Sequence, residues 1–156
     1  MEFSSPRRLE PSDDILGFSC GEAKIDSWLN RRGLSSMRQK TAVVYAVFDD
    51  MNKLAGFYSL SAHSIDRALA TGWLKGNSPS SIPVFLLGML GVSKKYQGLG
   101  LASQLLLDAY HRAANAADVI GARALVVDPL DEKAKTFYVN KGFENIGTTE
   151  RMFARF

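Results

Sequence analysis

The stretch PVFLLGMLGVSKKYQGLGLA (Pro83 to Ala102) decides the fold. Val84 to Val92 is an apolar, β-branched run of strand length, interrupted by Gly88 and Gly91. Glycine inside a strand marks a bulge or the close approach of another backbone. From Leu99 to about Ala117 the pattern becomes helical, with Ala102, Leu105, Leu106, Ala109 and Ala113 on one side. Between them lies Ser93-Lys94-Lys95-Tyr96-Gln97-Gly98-Leu99-Gly100. Glycines at a strand-to-helix turn let backbone N–H groups face an anion without a Cβ in the way. The helix start adds unpaired N–H groups and a positive dipole end. Lys94 and Lys95 add charge, so the expected ligand is a phosphate or diphosphate.

Two phosphate-binding patterns do not fit. A P-loop needs G-x-x-x-x-G-K-[ST], which this sequence lacks. A dinucleotide fingerprint needs a third glycine, where Ser103 stands. Its glycines also follow the strand directly, and here they come several residues later. Gln97-x-x-Gly100-x-Ala102 instead resembles the Q/R-x-x-G-x-G/A signature of the GNAT superfamily of acyl-CoA-dependent N-acyltransferases. Ala134 to Phe143, containing Phe137-Tyr138 and Gly142-Phe143, resembles that family's F-Y-x-x-x-G-F closing motif. The resemblance implies acetyl-CoA as co-substrate and no metal. It implies cofactor contacts at Leu90, Gly91, Val92, Lys95, Gln97, Gly98, Leu99, Gly100, Leu101, Ala102 and Phe137. It also implies that Tyr138 protonates the departing thiolate. The chemistry is sound: a thiol titrates near 8.5 and a tyrosine near 10, so the phenol can supply a proton as charge develops. The competing reading of Tyr138 is a core tyrosine satisfied by one hydrogen bond.

Working outward, Ser19-Cys20-Gly21-Glu22 reads as a capping box opening a helix. Ile25, Trp28 and Leu29 then share a face, more as core than as a base-stacking platform. That helix runs to about Arg32, and Leu34 to Gln39 extends it. Thr41–Phe48 and Leu54–Ala62 form a hairpin around the polar turn Asp49–Lys53. Thr71 to Pro83, rich in Gly, Pro and Ser, reads as a loop. Ala122–Val127 is a strand, Asp131–Lys141 a helix, and Phe143–Phe156 holds one or two strands. The expected class is α/β: a GNAT fold, with a parallel β–α–β core in a mixed central sheet flanked by helices. The chain is expected to form a single domain over residues 1–156.

Composition sets the bounds. Of 156 residues, 46% are hydrophobic and 22% charged, ample for a core. The run Pro83–Val92 is too short for a membrane helix, which needs roughly 20 apolar residues. No apolar signal core opens the chain, and the single Cys20 cannot form an internal disulfide, so a cytoplasmic location is expected. Net charge is +3, unevenly spread. Arg31, Arg32, Arg38 and Lys40 lie in an acid-free stretch, and from Arg67 to Arg112 five basic residues (Arg67, Lys75, Lys94, Lys95 and Arg112) stand against one acid, Asp108. Such patches either attract anions or are solvated helix faces.

A general base is hard to find. His111 is expected on the surface, and His63 is a weak candidate. A lysine amine near pKa 10.4 is almost wholly protonated at neutral pH, whereas an α-amine near 8 is partly free. A site without a strong base therefore suits an α-amine better, or else uses water to carry the proton. Phe18 to Gly21, Ile25 to Leu29, Tyr45 to Val47 and Gly56 to Ala62 resemble the GNAT toxins of bacterial toxin–antitoxin pairs. That resemblance implies acetylation of the α-amino group of aminoacyl-tRNA, with Arg31, Arg32, Arg38 and Lys40 as candidate substrate contacts. It further implies a homodimer and a ribbon-helix-helix antitoxin that makes the DNA contacts. The alternatives are an N-acetyltransferase for a small metabolite, peptide or protein amine, and a catalytically silent CoA-binding module.

Overall fold

The computed structural model describes residues 2–156. In chain order it has β1 (Arg7–Arg8), α1 (Ala23–Trp28), a π turn (Leu29–Gly33), α2 (Leu34–Gln39), β2 (Val43–Phe48) and β3 (Leu54–Asp66). A 3-10 turn (Arg67–Leu69), α3 (Gly72–Lys75), β4 (Ser81–Val92), a second 3-10 turn (Lys94–Tyr96) and α4 (Leu101–Ile120) follow. Then come β5 (Ala124–Val127), α5 (Glu132–Asn140), β6 (Glu144–Asn145) and β7 (Met152–Arg155). The expected order of helices and strands is present, with β1 and α3 added to it. The chain divides into two compact units, Met1–Ser61 with Gly88–Ala109 and Ala62–Leu87 with Tyr110–Phe156.

In the first unit β1, β2 and β3 pair antiparallel, with Arg7 opposite Ala46 and Tyr45 opposite Tyr58. The expected hairpin is therefore formed, and the register shifts at Val47/Phe48. Ile25 and Leu29 bury one face of the first helical segment against Val44, Ala46, Phe48, Leu54 and Phe57. Trp28 stacks on Phe57 at 6.5 Å, so it is core packing. The capping box is not made. Glu22 occupies the cap position and makes no side-chain cap hydrogen bond. Instead the Asp26 carboxylate reaches back and accepts the Cys20 N–H at 3.0 Å. A buried Cys20 follows from that fold-back, and burial pushes its thiol up to about 11.

The start of α4 is seated on this unit by a glycine. A Cβ at Gly56 would lie 2.9 Å from Leu105 Cδ1 and 3.1 Å from the Gly91 carbonyl oxygen. The first is the end of a flexible side chain and the second is tight, so a side chain at position 56 would push the start of α4 and β4 off β3 by a few tenths of an ångström. Tyr58, wholly buried, donates its hydroxyl to the Asp108 carboxylate on α4. These contacts fix where the N-terminus of α4 points.

In the second unit β4 and β5 pair parallel from Phe85↔Leu125 to Leu87↔Val127. β7 pairs antiparallel with β5 and with β6. Parallel neighbours need a crossover, and α4 is the helix that connects them. Ile65, Leu74, Ile82, Val84, Ala124, Val126, Ile146 and Phe153 form the core. The segment read as a loop from Thr71 to Pro83 is more ordered than expected. Leu74 is fully buried, and Trp73 stacks on Phe153 at 6.3 Å with the Arg123 guanidinium 4.3 Å above its ring. Tertiary packing outweighs the local turn composition there. Among the described residues no helix is long and apolar enough to cross a membrane.

Candidate active site

In the first unit β4 ends at Leu90-Gly91-Val92. Gly91 is tightly packed: a Cβ would stand 3.0 Å from Ile25 Cγ2 and 3.4 Å from Cys20 Cβ. The chain then turns under four anchors. Ser93 N–H donates to the Ala55 carbonyl at 2.8 Å, and Lys94 N–H to that of Ser19 at 2.9 Å. The Gln97 side-chain amide donates to the carbonyls of Cys20 and Val92, at 2.8 and 3.0 Å. Tyr96 donates its hydroxyl to the Asp49 carboxylate at 2.7 Å. The side chain of Gln97, the first letter of the signature, thus braces the turn.

Gly98 and Gly100 have φ of +85° and +82°. Side-chain-bearing residues avoid this region, so the two glycines are what the turn requires. Gln104 N–H donates to the Gly100 carbonyl at 3.2 Å, which makes Gly100 the residue flanking α4. The amide groups of Leu101, Ala102 and Ser103 lack intrahelical acceptors. Lys94 and Lys95 are exposed, and no acidic residue occurs between Ser93 and Leu107. The donor set suits a diphosphate: N–H groups, a helix dipole and two ammonium groups, with no carboxylate side chain facing them from that stretch.

In the second unit Asp131 caps α5, accepting the Ala134 N–H at 2.8 Å. Replacing Asp131 by alanine is expected to cost about 1 kcal/mol. A thermal melt should show this as a drop of roughly 2–4 °C, with loss of the helix that carries Tyr138 as the cause. The Tyr138 ring is buried, packed edge-on to Phe137 and tilted against Phe143 at 5.2 Å. Burial pushes its phenol above the ordinary tyrosine range. No described residue hydrogen-bonds to its hydroxyl.

A family model of the acetyltransferase (GNAT) domain matches residues 40–145. The chain belongs to the GNAT acetyltransferase family. It is 41% identical to a tRNA-acetylating toxin of Mycobacterium tuberculosis over 142 residues, 91% of this chain and 85% of the relative. Among solved structures it is similar to AtaT complexed with acetyl-methionyl-tRNAfMet. The TM-score is 0.88 and the identity 26%, over 99% of this chain and 95% of that one. A mutant AtaT toxin bound to the C-terminus of the antitoxin AtaR and acetyl-CoA matches at TM-score 0.82 and 25% identity, over 99% and 94% of the two chains. The GNAT fold expected from the sequence is thereby established, and with it the acetyltransferase class.

The structure brings most of the expected GNAT site residues together by unit. Leu90 to Ala102 form one continuous strand–turn–helix corner, and Phe137 and Tyr138 share one helix. Arg31 and Arg32 on the π turn, Arg38 on α2 and Lys40 beyond it are all exposed. None of the four makes an ion pair among the described residues. His111 is exposed, as expected. His63 is held below the usual histidine range, first by burial and then by the Arg151 charge, with Asp128 opposing. A neutral imidazole at pH 7 follows. Two features escape sequence reading. One is Asp49, read only as part of a polar turn. The other is the bidentate Arg151–Asp128 pair, at 2.7 and 3.1 Å, just beyond β5.

Proposed function

We propose that this GNAT enzyme is an acetyl-CoA-dependent toxin that acetylates the α-amino group of aminoacyl-tRNA and so blocks translation. The observation that carries the reading is its relatedness, over nearly its whole length, to a tRNA-acetylating toxin. The backbone N–H groups at Gly98–Ala102 hold the diphosphate of acetyl-CoA, flanked by Lys95. The edge of Leu90, Gly91 and Val92 takes the pantetheine arm, and Phe137 lies against the cofactor. Acetyl-CoA supplies the activated acyl group. Tyr138 then gives its proton to the sulfur as the carbon–sulfur bond breaks. The attacking nitrogen loses its own proton to water, which an α-amine permits and a lysine amine resists. The unpaired Arg31, Arg32, Arg38 and Lys40 meet the phosphates of the tRNA backbone.

The reading treats the chain as one catalytic domain, because the family match runs through segments of both units. It places the enzyme in the cytoplasm as a homodimer. A ribbon-helix-helix antitoxin is its neutralising partner and supplies the DNA contacts. Incubation of mixed aminoacyl-tRNA with acetyl-CoA and the enzyme, followed by nuclease digestion and mass spectrometry, tests it. N-acetylated aminoacyl-adenosine is the expected product. Unmodified tRNA, with acetylation of a small amine or peptide under the same conditions, would overturn the tRNA assignment and favour the metabolite reading.

A further inference from the structure

The turn between β4 and α4 has to present several N–H groups at once in one geometry. Three of its anchors fasten it to neighbouring backbone carbonyls. The fourth joins two side chains, Tyr96 and Asp49, both buried. Asp49 is itself fixed from all sides. Its other carboxylate oxygen accepts the N–H groups of Met51 and Lys53 at 2.9 and 3.0 Å, and its own N–H donates to the Lys53 carbonyl at 2.9 Å. The Tyr96 ring is braced by the edge of Phe3 at 5.0 Å. Ser4 holds that arm by exchanging hydrogen bonds with the backbone of Phe48 at 2.8 and 2.9 Å. The hairpin turn, the N-terminal arm and the glycine turn therefore meet at one phenol.

A carboxylate is a poor neighbour for a loop that takes an anion. Its negative charge opposes the ligand unless it is spent on donors of its own. Asp49 spends it on two amides and one hydroxyl. This arrangement holds the loop from beneath while leaving the loop's outward N–H groups unused. We propose that Tyr96 and Asp49 are a positioning pair that pre-sets the diphosphate-binding turn for acetyl-CoA. The proposal rests on the reading of Gly98–Ala102 as the diphosphate site. Neither residue touches the cofactor. Their effect is to lower the ordering cost of binding.

The test compares two ligands by calorimetry, acetyl-CoA and S-acetylpantetheine, which lacks the diphosphate. No acceptor is present, so the outcome is independent of whether tRNA is the substrate. Tyr96→Phe removes only the donor oxygen. It is expected to weaken acetyl-CoA about ten-fold, the size of a lost hydrogen bond to a charged group, and to leave S-acetylpantetheine affinity unchanged. Asp49→Asn, measured the same way, keeps the proposal testable should Tyr96→Phe fail to fold, and the double variant should bind no worse than the weaker single one. Unchanged acetyl-CoA affinity in a folded variant would overturn the proposal. So would equal losses for both ligands, which point to general loosening. If the parent itself bound both ligands equally, the diphosphate assignment of the turn would fail first.

Discussion

Tyr138→Phe is expected to lower turnover by about two to three orders of magnitude, with acetyl-CoA affinity held within about two-fold. Phenylalanine keeps the ring contacts with Phe137 and Phe143, so the fold and the cofactor site have no reason to change. What disappears is the one proton donor on the buried face of α5. Burial raises the phenol, which at first sight makes it a poor acid. The same dryness raises a thiol bound beside it, so donor and acceptor stay closer in strength than their values in water suggest. The pH dependence follows with a definite sign. The active form is the neutral phenol, present below its raised pKa and lost only above it. Parent turnover should not fall as pH rises through 10, where an ordinary tyrosine would ionise. Its acid limb should reflect the acceptor amine, which must be unprotonated to attack. Steady-state rates of the parent and the variant across pH 6 to 10.5 check both statements. Full turnover in the variant would remove Tyr138 from the mechanism.

The glycine turn and the long helix were legible because their signals are local. Positive φ at two positions and an apolar stripe at helical spacing can both be read from neighbours in sequence. The hairpin was legible for the same reason. What sequence reading missed depends on long-range partners. Asp49 looks like any turn aspartate until Tyr96, 47 residues away, is found against it. The bracing of the turn by the Gln97 side-chain amide, through the carbonyls of Cys20 and Val92, likewise depends on a residue 77 positions away. The Ser19–Glu22 box had the right letters, but the chain folds back so that Asp26 answers Cys20 instead. α3 was hidden in a glycine- and serine-rich stretch, because Leu74 gains more from the core than the loop composition costs. The last helix fared better, because the pattern from Asp131 to Lys141 and the glycine at 142 are local signals, and α5 lies where they put it.

Gly100→Ala should weaken acetyl-CoA by about ten-fold while the protein stays folded, and Gly100→Val should weaken it further. A Cβ at Gly100 meets no other atom within 4 Å, so steric collision is not the cause. The cost lies in the backbone. At φ +82° a side-chain-bearing residue carries strain of about 1–2 kcal/mol, and more when β-branched. The protein can bear that strain or relieve it. Bearing it would lower the melting temperature and leave the amide groups in place. Relieving it means rotating Gly100 toward negative φ, which swings the N–H groups at the start of α4 away from their common direction. The turn is exposed at Gly98, Leu99 and Gly100, and the anchors at Ser93, Lys94, Tyr96 and Gln97 all lie before it. Movement is therefore the cheaper response, and the loss should appear in ligand affinity more than in stability. Calorimetric titration with acetyl-CoA alongside a thermal melt separates the two. A lowered melting temperature with undiminished affinity would overturn this prediction and show that the turn bears the strain with its amide groups in place.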